Sequence, residues 1–205
     1  MTALLSYALT TVADVKESLG ITSGDHSKDN LITRKINQAT RMIENYCDCR
    51  FAQTTYTDEL YDGHGGNELV LRHKPIISVT SLAYRNVPDN QNQFTTVDSS
   101  DYFINNDYGV IEYLAPFTAY YDRWKITYVA GYATIPEDVA EACATLAAYL
   151  VQNGTSGTNI KRKREGQREI EYFDNTAGSG DSLIEQLGLS DVLDAYASPL
   201  VSGLN

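Results

Sequence analysis

One short stretch of the sequence has residue types and spacing that could form a reactive site. His64 lies within the run Asp62-Gly63-His64-Gly65-Gly66, where the glycines permit a tight bend and the Asp62 carboxylate could orient the imidazole. No HExxH pair, no further ligand set and no Gly-Lys-Ser/Thr phosphate loop accompanies it in the sequence. We therefore expect no catalytic residue, no metal and no cofactor.

The nucleophilic side chains are equally weak candidates for chemistry. Ser156 lies in the linker-like run Gly154-Thr155-Ser156-Gly157, which has no neighbouring acid–base partner. The three cysteines form no disulfide framework, and a Cys-Asp-Cys pair needs two more ligands to bind zinc. Cys47 and Cys143 are predicted to be small hydrophobic residues on apolar helix faces. These patterns argue against an enzyme and favour a binding or structural protein.

Composition and charge limit the partners of this protein. The 205 residues carry a formal net charge of −11, which argues against a protein that grips phosphate backbones with clustered Lys and Arg. An acidic surface would instead let DNA pass without sticking. The 15 tyrosines, against five Phe and one Trp, suit either surfaces that become buried on assembly or ordinary strands.

No segment of the sequence is typical of a membrane span or an export signal. The apolar runs are short, well below the roughly 20 residues that cross a bilayer, so no membrane partner is expected. Residues 1–10 lack a basic leader and a convincing cleavage site. We therefore expect no signal peptide and a protein made in a reducing cytoplasm.

Helical periodicity is found in three segments, at about 11–19, 29–50 and 136–152. Thr11 and Asp14 have the spacing of a capping box at the start of the first helix, and Gly20 follows as a stop. The second helix has one apolar stripe. The third begins at Pro136 and is rich in alanine, which would allow close packing either at a subunit interface or in the core.

Between the second and third helices the hydrophobic period becomes that of strands. Short stretches rich in Val, Ile, Thr and Tyr, bounded by turn residues, predict six strands. They are at about 54–61, 68–72, 76–84, 101–105, 110–114 and 123–129. The predicted fold class is α+β: a small helical bundle with a β-rich insertion at about 54–130.

After residue 152 the composition indicates an extended arm. Residues 153–158 and 176–180 have the composition of flexible linkers, and they bracket a strand-like piece. A short helix is predicted at about 181–193. We therefore divide the chain into a helical core with its insertion, 1–152, and a flexible C-terminal arm, 153–205, and we expect the core to fold without the arm.

A basic run at 161–164 lies within this arm. Five basic and three acidic residues fall between residues 160 and 173, so the local excess of positive charge is small for nucleic-acid binding. The run could contact DNA, dock onto an acidic partner or simply remain solvated. In a chain of this net charge, charge complementarity favours the acidic partner.

Five pieces of the sequence follow one another in a recognisable order. They are the helical pieces at 12–21 and 31–51, the run Lys74-Pro75-Ile76-Ile77-Ser78-Val79, the stretch 128–139, and Arg164-Glu165-Gly166. In this order they resemble the head–tail connector (adaptor, or head-completion) proteins of long-tailed bacteriophages. The long β-rich middle and the extra C-terminal helix depart from the smallest members of those families.

The resemblance implies a ring, commonly twelve-fold, beneath the phage portal. Such a ring seals the head, gives the tail a docking surface and leaves a channel through which DNA passes without sequence-specific binding. The implied partners are further copies of the chain, the portal protein and a tail-side head-completion or tail terminator protein. The implied location is the virion neck, after assembly in the host cytoplasm.

The resemblance also implies contact residues. The C-terminal arm would bind the portal, through Ile160, Lys161, Arg162, Lys163, Arg164, Arg168, Ile170, Tyr172, Phe173, Leu183 and Leu187. Subunit contacts are expected at Arg41, Tyr46, Tyr132 and Tyr149. The residues leave open one alternative, a monomeric cytoplasmic or phage binding module for a peptide or nucleic acid, which salt-dependent DNA binding would favour.

Overall fold

A computed structural model describes residues 2–85, 93–153, 162–165, 168–171 and 180–197. The chain divides into two compact units. The helical unit comprises residues 1–48 and 136–205, and the β unit comprises residues 49–135. Helices and antiparallel strands are thus combined in one chain, as the α+β expectation requires.

The helical unit contains five helices in its described part. They are α1 (Val12–Ser18), α2 (Asp29–Cys47), α3 (Glu137–Asn153), α4 (Gly180–Gln186) and α5 (Ser190–Leu193). The start of α1 is the predicted capping box. The Thr11 hydroxyl accepts from the Asp14 N–H at 3.3 Å and the Asp14 carboxylate accepts from the Thr11 N–H at 3.0 Å. These bonds satisfy two of the free N–H groups at the helix start.

Helix α2 is buried along its predicted apolar stripe. Its most buried apolar side chains, all 0% exposed, are Ile32, Ile36, Ala39, Ile43 and Cys47. The helix ends at Cys47 rather than continuing to residue 50, because Asp48 adopts a left-handed conformation with φ of 48°. The buried side of α2 packs against α3, where the Thr40 hydroxyl lies 3.8 Å from the Cys143 sulfur.

Helix α3 is buried on more than one side. Val139, Cys143 and Leu146 form one apolar face and are 0% exposed. Ala144 and Ala148, on the opposite side of the helix, are also buried. Small side chains permit this close approach of neighbouring elements. The alanines therefore serve core packing, one of the two roles that the sequence allowed.

The C-terminal helices differ from the expected single helix at 181–193. A positive φ of 68° at Gly188 separates α4 from α5, and glycine adopts this conformation without steric cost. Ile184 and Leu193 are fully buried, and the Tyr46 hydroxyl donates to Asp194 at 2.6 Å. The two short helices are thus packed into the helical unit, and folding of the core without residues 153–205 stays a prediction.

Two further strands precede these helices, β8 (Arg162–Glu165) and β9 (Arg168–Glu171), in an antiparallel hairpin. The sequence predicted only one strand-like piece here. The linker-like stretches, 154–158 and most of 176–180, lie outside the described residues. Because an isolated two-stranded sheet is marginally stable, pairing with a further strand would stabilise this hairpin.

The described residues of the β unit form seven strands. They are β1 (Thr54–Gly63), β2 (Glu68–Val70), β3 (Ile76–Tyr84), β4 (Thr95–Thr96), β5 (Tyr102–Asn105), β6 (Val110–Tyr113) and β7 (Tyr120–Ala130). They form two antiparallel sheets, one of order β1-β7-β3-β4 and one of order β2-β6-β5. The predicted strands are confirmed in position. Strand β1 runs through Asp62 and Gly63, so the predicted turn begins only after it.

The core of the β unit is aromatic. Trp124, which is 2% exposed, contacts the ring of Phe117 edge-on with centroids 4.6 Å apart. Tyr84 and Tyr113 lie 5.5 Å from the same indole. Gly63 allows the residue 115–118 loop to approach β1, because a Cβ there would overlap the carbonyl of Thr118.

Candidate assembly surfaces

The outward face of α2 forms an open groove. Its lining residues are Thr2, Arg34, Asn37, Gln38, Arg41, Met42 and Asn45, and its volume is about 410 Å³. Arg34, Gln38, Arg41 and Asn45 recur at helical spacing on the side opposite the buried stripe. This row of polar residues could be identified from the sequence, since it occupies the polar side of the predicted helix.

Asn37 anchors the N-terminal segment along one wall of this groove. Its side-chain oxygen accepts from the Leu5 N–H at 3.0 Å, and its side-chain nitrogen donates to the Ala3 carbonyl at 2.9 Å. Further along, the Leu9 N–H donates to the Thr40 hydroxyl at 3.3 Å. The groove is therefore built from two elements that are hydrogen-bonded to each other.

The four predicted subunit-contact residues differ in their exposure and engagement. Arg41 is exposed on α2 and Tyr149 is half-buried on α3. Tyr46 is held by its hydroxyl bond to Asp194, which raises the pKa of Tyr46 to about 12. Tyr132 is half-buried in the β unit and stacks on Phe51, with centroids 6.0 Å apart. Arg41 is therefore the exposed member of the four, and the three tyrosines are half-buried.

The predicted portal-binding residues fall into three groups. Arg162, Lys163 and Arg164 lie on β8, opposite Glu171, Ile170 and Glu169 of β9 respectively, and Arg168 lies opposite Glu165. Leu183 and Leu187 lie on and just after α4 and are half-buried, unlike the fully buried Ile184. Ile160, Lys161, Tyr172 and Phe173 lie outside the described residues.

The β unit exposes apolar side chains that the sequence analysis did not single out. Large exposed fractions are found at Val70 (57%), Phe103 (62%), Tyr108 (73%), Leu114 (63%) and Tyr121 (78%). The register of the β2-β6-β5 sheet places Phe103 opposite Glu112, which in turn lies opposite Glu68. This sheet face therefore combines an exposed aromatic ring with carboxylates.

The stretch from Asp62 to Gly66 does not bring its carboxylate and its imidazole together. His64 is exposed, and its Nδ1 atom accepts from the Gly66 N–H at 3.4 Å. The Asp62 carboxylate is not turned to the imidazole but accepts from the Asp122 N–H at 2.7 Å. Asp62 therefore stabilises the neighbouring turn instead of orienting His64.

A polar cluster of the β unit surrounds Glu59. The hydroxyls of Tyr61 and Tyr128 both donate to its carboxylate, at 2.8 and 2.9 Å. His73 stacks on Tyr56 with ring centroids 3.8 Å apart, and burial lowers the pKa of His73. Burial also raises the pKa values of Tyr61 and Tyr128, that of Tyr61 to about 12. Neutral, hydrogen-bonded phenols of this kind stabilise a core and are poor nucleophiles.

The cysteine thiols and the possible metal ligands are also poor candidates for a reactive site. Cys47 and Cys143 are buried on helix faces, as predicted. Burial raises the pKa of the Cys143 thiol to about 12, so it stays protonated and unreactive at neutral pH. Within the described ranges, no group of three His, Cys, Asp or Glu side chains could hold a metal ion. No helix in that part of the chain is long and apolar enough to cross a membrane.

Comparison with known proteins identifies related sequences and structures. A sequence model of the family described as head completion protein matches residues 8–161, which is more than half of the chain. No curated protein matches this chain. Among solved structures, the chain is similar to one in the neck of an empty gene transfer agent (GTA) particle, computed with C6 symmetry, at a TM-score of 0.61 and 18% identity.

A second similar chain comes from the neck of the native GTA particle, computed with C12 symmetry, at a TM-score of 0.59 and 18% identity. A third comes from the virion of the native GTA particle, at a TM-score of 0.57 and 16% identity. Each likeness covers 99% of this chain and 96% of the other chain. At these identities the likeness shows a shared fold.

Proposed function

Because this chain belongs to the head completion protein family, we propose that it forms a ring beneath the portal of a phage particle and surrounds the DNA channel there. Family membership makes it a non-enzymatic structural protein of the virion head–tail interface. The match over residues 8–161 is the observation that carries the proposal. The ring would be twelve-fold in the virion.

The fold supports a symmetric assembly. Similar chains occur in particle necks computed with C6 and C12 symmetry, and closed rings are built by repeating one head-to-tail contact. In this chain Arg41 and Tyr149 are accessible for that contact, with Tyr46 and Tyr132 contributing the parts of their rings that remain exposed.

The C-terminal region is proposed to join the ring to the portal. The β8–β9 hairpin has no third strand among the described residues, so an edge of it is available for strand addition by a partner. Leu183 and Leu187 would add apolar contact area beside it. The remaining predicted contacts, Ile160, Lys161, Tyr172 and Phe173, extend the same region of sequence.

Two further partners complete the proposal. A tail-side head-completion or tail terminator protein would dock on the side of the ring away from the portal. DNA would pass through the channel without sequence-specific binding, consistent with a net charge of −11.

Electron microscopy of a reconstituted complex tests the ring directly. The purified chain is mixed with portal rings of the same phage and the products are imaged. We expect a second ring stacked coaxially on the portal. Portal rings without added density, in the presence of folded protein, would contradict the proposal.

Substitutions within the hairpin test the portal joint. A truncation after residue 152 is unsuitable, because it removes the buried Ile184 and Leu193. The triple variant Arg162→Gln, Lys163→Gln, Arg164→Gln keeps these residues and neutralises the basic strand. We expect it to co-sediment with portal rings at least about tenfold more weakly, as lost charge complementarity predicts. Lys28→Gln, an exposed cation outside the hairpin, serves as the control and should bind normally.

A further inference from the structure

The outward face of α2 carries positive charge from Arg34 and Arg41. Arg34 and Arg41 are exposed, and within the described ranges neither forms an ion pair. Of the two carboxylates of α2, Asp29 binds Lys16 at 2.6 Å and Glu44 is buried away from this exposed face. In a chain with a net charge of −11, this face is a local site of positive charge.

The spacing of the two arginines suits a partner with two carboxylates. Arg34 and Arg41 are seven positions apart, which places them about 10 Å apart along one line of the helix. The polar side chains of Gln38 and Asn45 lie on the same line. Guanidinium groups bind carboxylates with paired hydrogen bonds. Because arginine side chains are long, both guanidinium groups can reach two carboxylates that lie one helical turn, about 6 Å, apart.

The helical unit itself presents such a turn. Glu137 and Glu141 lie one turn apart at the start of α3, and both are exposed. Neither forms an ion pair in the part of the chain that the structure describes. Their neighbour Asp138 is already engaged, because its carboxylate accepts from the Tyr196 hydroxyl at 2.9 Å.

The arginines and these glutamates cannot meet within one copy. Helix α2 packs against α3 through its buried side, where Thr40 approaches Cys143, and Arg34 and Arg41 lie on the opposite side of α2. Two complementary surfaces that do not overlap on one subunit generate a head-to-tail contact between copies, and such contacts close into rings.

We propose that the α2 groove of one copy receives the first turn of α3 from the next copy, with Arg34 and Arg41 facing Glu137 and Glu141. The occupant of the groove is thus a second copy of this chain. The inference rests on the proposed ring function and specifies the contact that builds the ring. Arg41, which the sequence analysis expected at the subunit interface, is thereby assigned the carboxylates of Glu137 and Glu141 as its partners.

Reciprocal charge reversal tests this contact with the full chain. The groove variant is Arg34→Glu with Arg41→Glu, and the turn variant is Glu137→Lys with Glu141→Lys. Ring formation on portal rings is measured by electron microscopy and by co-sedimentation, and circular dichroism checks that each variant is folded. Each variant alone should assemble more than about tenfold more weakly than the unaltered chain, because like charges then meet at every contact.

An equimolar mixture of the two variants is the decisive sample. Every groove of one variant then meets an oppositely charged turn of the other, so alternating rings should form. The control Glu17→Lys with Asp191→Lys makes the same charge change as the turn variant at other exposed positions of the helical unit. It should assemble like the unaltered chain.

The outcomes separate this inference from the proposed function. Rings from each variant alone, equal to those of the unaltered chain, would overturn the pairing and leave the ring function intact. Folded variants that fail both alone and mixed would also overturn it, since their charges would then not face each other. Absence of rings from the unaltered chain would overturn the proposed function and the pairing together.

Discussion

The helical unit and the β unit differ in the residues that fill their cores. The core of the helical unit is built from isoleucine, leucine, valine, alanine and two cysteines, with α3 packed closely on several sides. The β unit holds ten of the 15 tyrosines and the single tryptophan. Side chains from both of its sheets, including Trp124 and Tyr102, form one buried cluster, and packed sheet faces leave room for large rings between them.

This difference predicts which kind of substitution destabilises each unit. A core of large rings is sensitive to deletion, because few neighbours can move into the space of a lost ring. A core of small residues is sensitive to enlargement, because its helices already lie close together. The hydroxyls of buried tyrosines add a dependence on pH that an aliphatic core lacks.

The largest effect is expected from deleting a ring in the β unit. Phe117→Ala removes a fully buried side chain that contacts Trp124, and it should lower the free energy of unfolding by about 3–5 kcal/mol. Denaturant unfolding followed by the fluorescence of Trp124 measures this. Phe103→Ala, at a ring that is 62% exposed, is the control and should cost less than about 0.5 kcal/mol.

A smaller effect is expected from enlarging a residue in the helical unit. Ala147→Leu introduces three carbons at a position that is 0% exposed, and it should destabilise the unit by about 1–3 kcal/mol. Unfolding followed by helical circular dichroism measures the change. Ala13→Leu makes the same substitution at an exposed position of α1 and should be close to neutral. Equal stability of the two variants would refute the idea that α3 is closely packed.

The smallest effect concerns alkaline pH and the β unit. Burial raises the pKa of Tyr61 to about 12, from an ordinary value of 10.0. The folded state therefore retains the proton more strongly, so this stabilisation is complete below pH 10 and is lost as pH rises from 10 towards 12. Trp124 fluorescence in denaturant should show a stability that falls across this window.

Tyr61→Phe sharpens this test. The variant loses a hydroxyl bond to Glu59 and should cost about 1 kcal/mol at neutral pH, while its stability should fall less steeply above pH 10. The exposed Tyr121→Phe is the matched control, because it removes a hydroxyl outside the core. An unchanged alkaline slope in Tyr61→Phe would show that Tyr61 does not cause the pH dependence.

Much of the helical unit could be predicted from sequence because its signals are local. The capping box of Thr11 and Asp14 and the stripe from Ile32 to Cys47 follow from spacings of three and four residues. The missed features have longer-range causes. The break at Gly188 could not be distinguished from a continuing helix, and the burial of Ile184 and Leu193 depends on α2, far away in the sequence.

The candidate surfaces were predicted only in part for the same reason. The polar side of α2 could be identified from the sequence, but the groove exists because Asn37 binds the chain at Ala3 and Leu5. The exposure of Phe103 and Tyr108 likewise depends on which sheet face is covered. Periodicity identifies the two faces of a strand without saying what covers each of them.

The sequence by itself thus determined the helices α1, α2 and α3, the positions of the main strands and the absence of any complete catalytic motif. These properties depend on short spacings and on residue type. The tertiary structure alone decided the strand order β1-β7-β3-β4, the meeting of Glu59 with Tyr128 and the placement of Arg34 and Arg41 opposite the packed side of α2. Such contacts join residues that are distant in the chain, and many alternative pairings have similar local patterns. Packing of the whole chain selects among them.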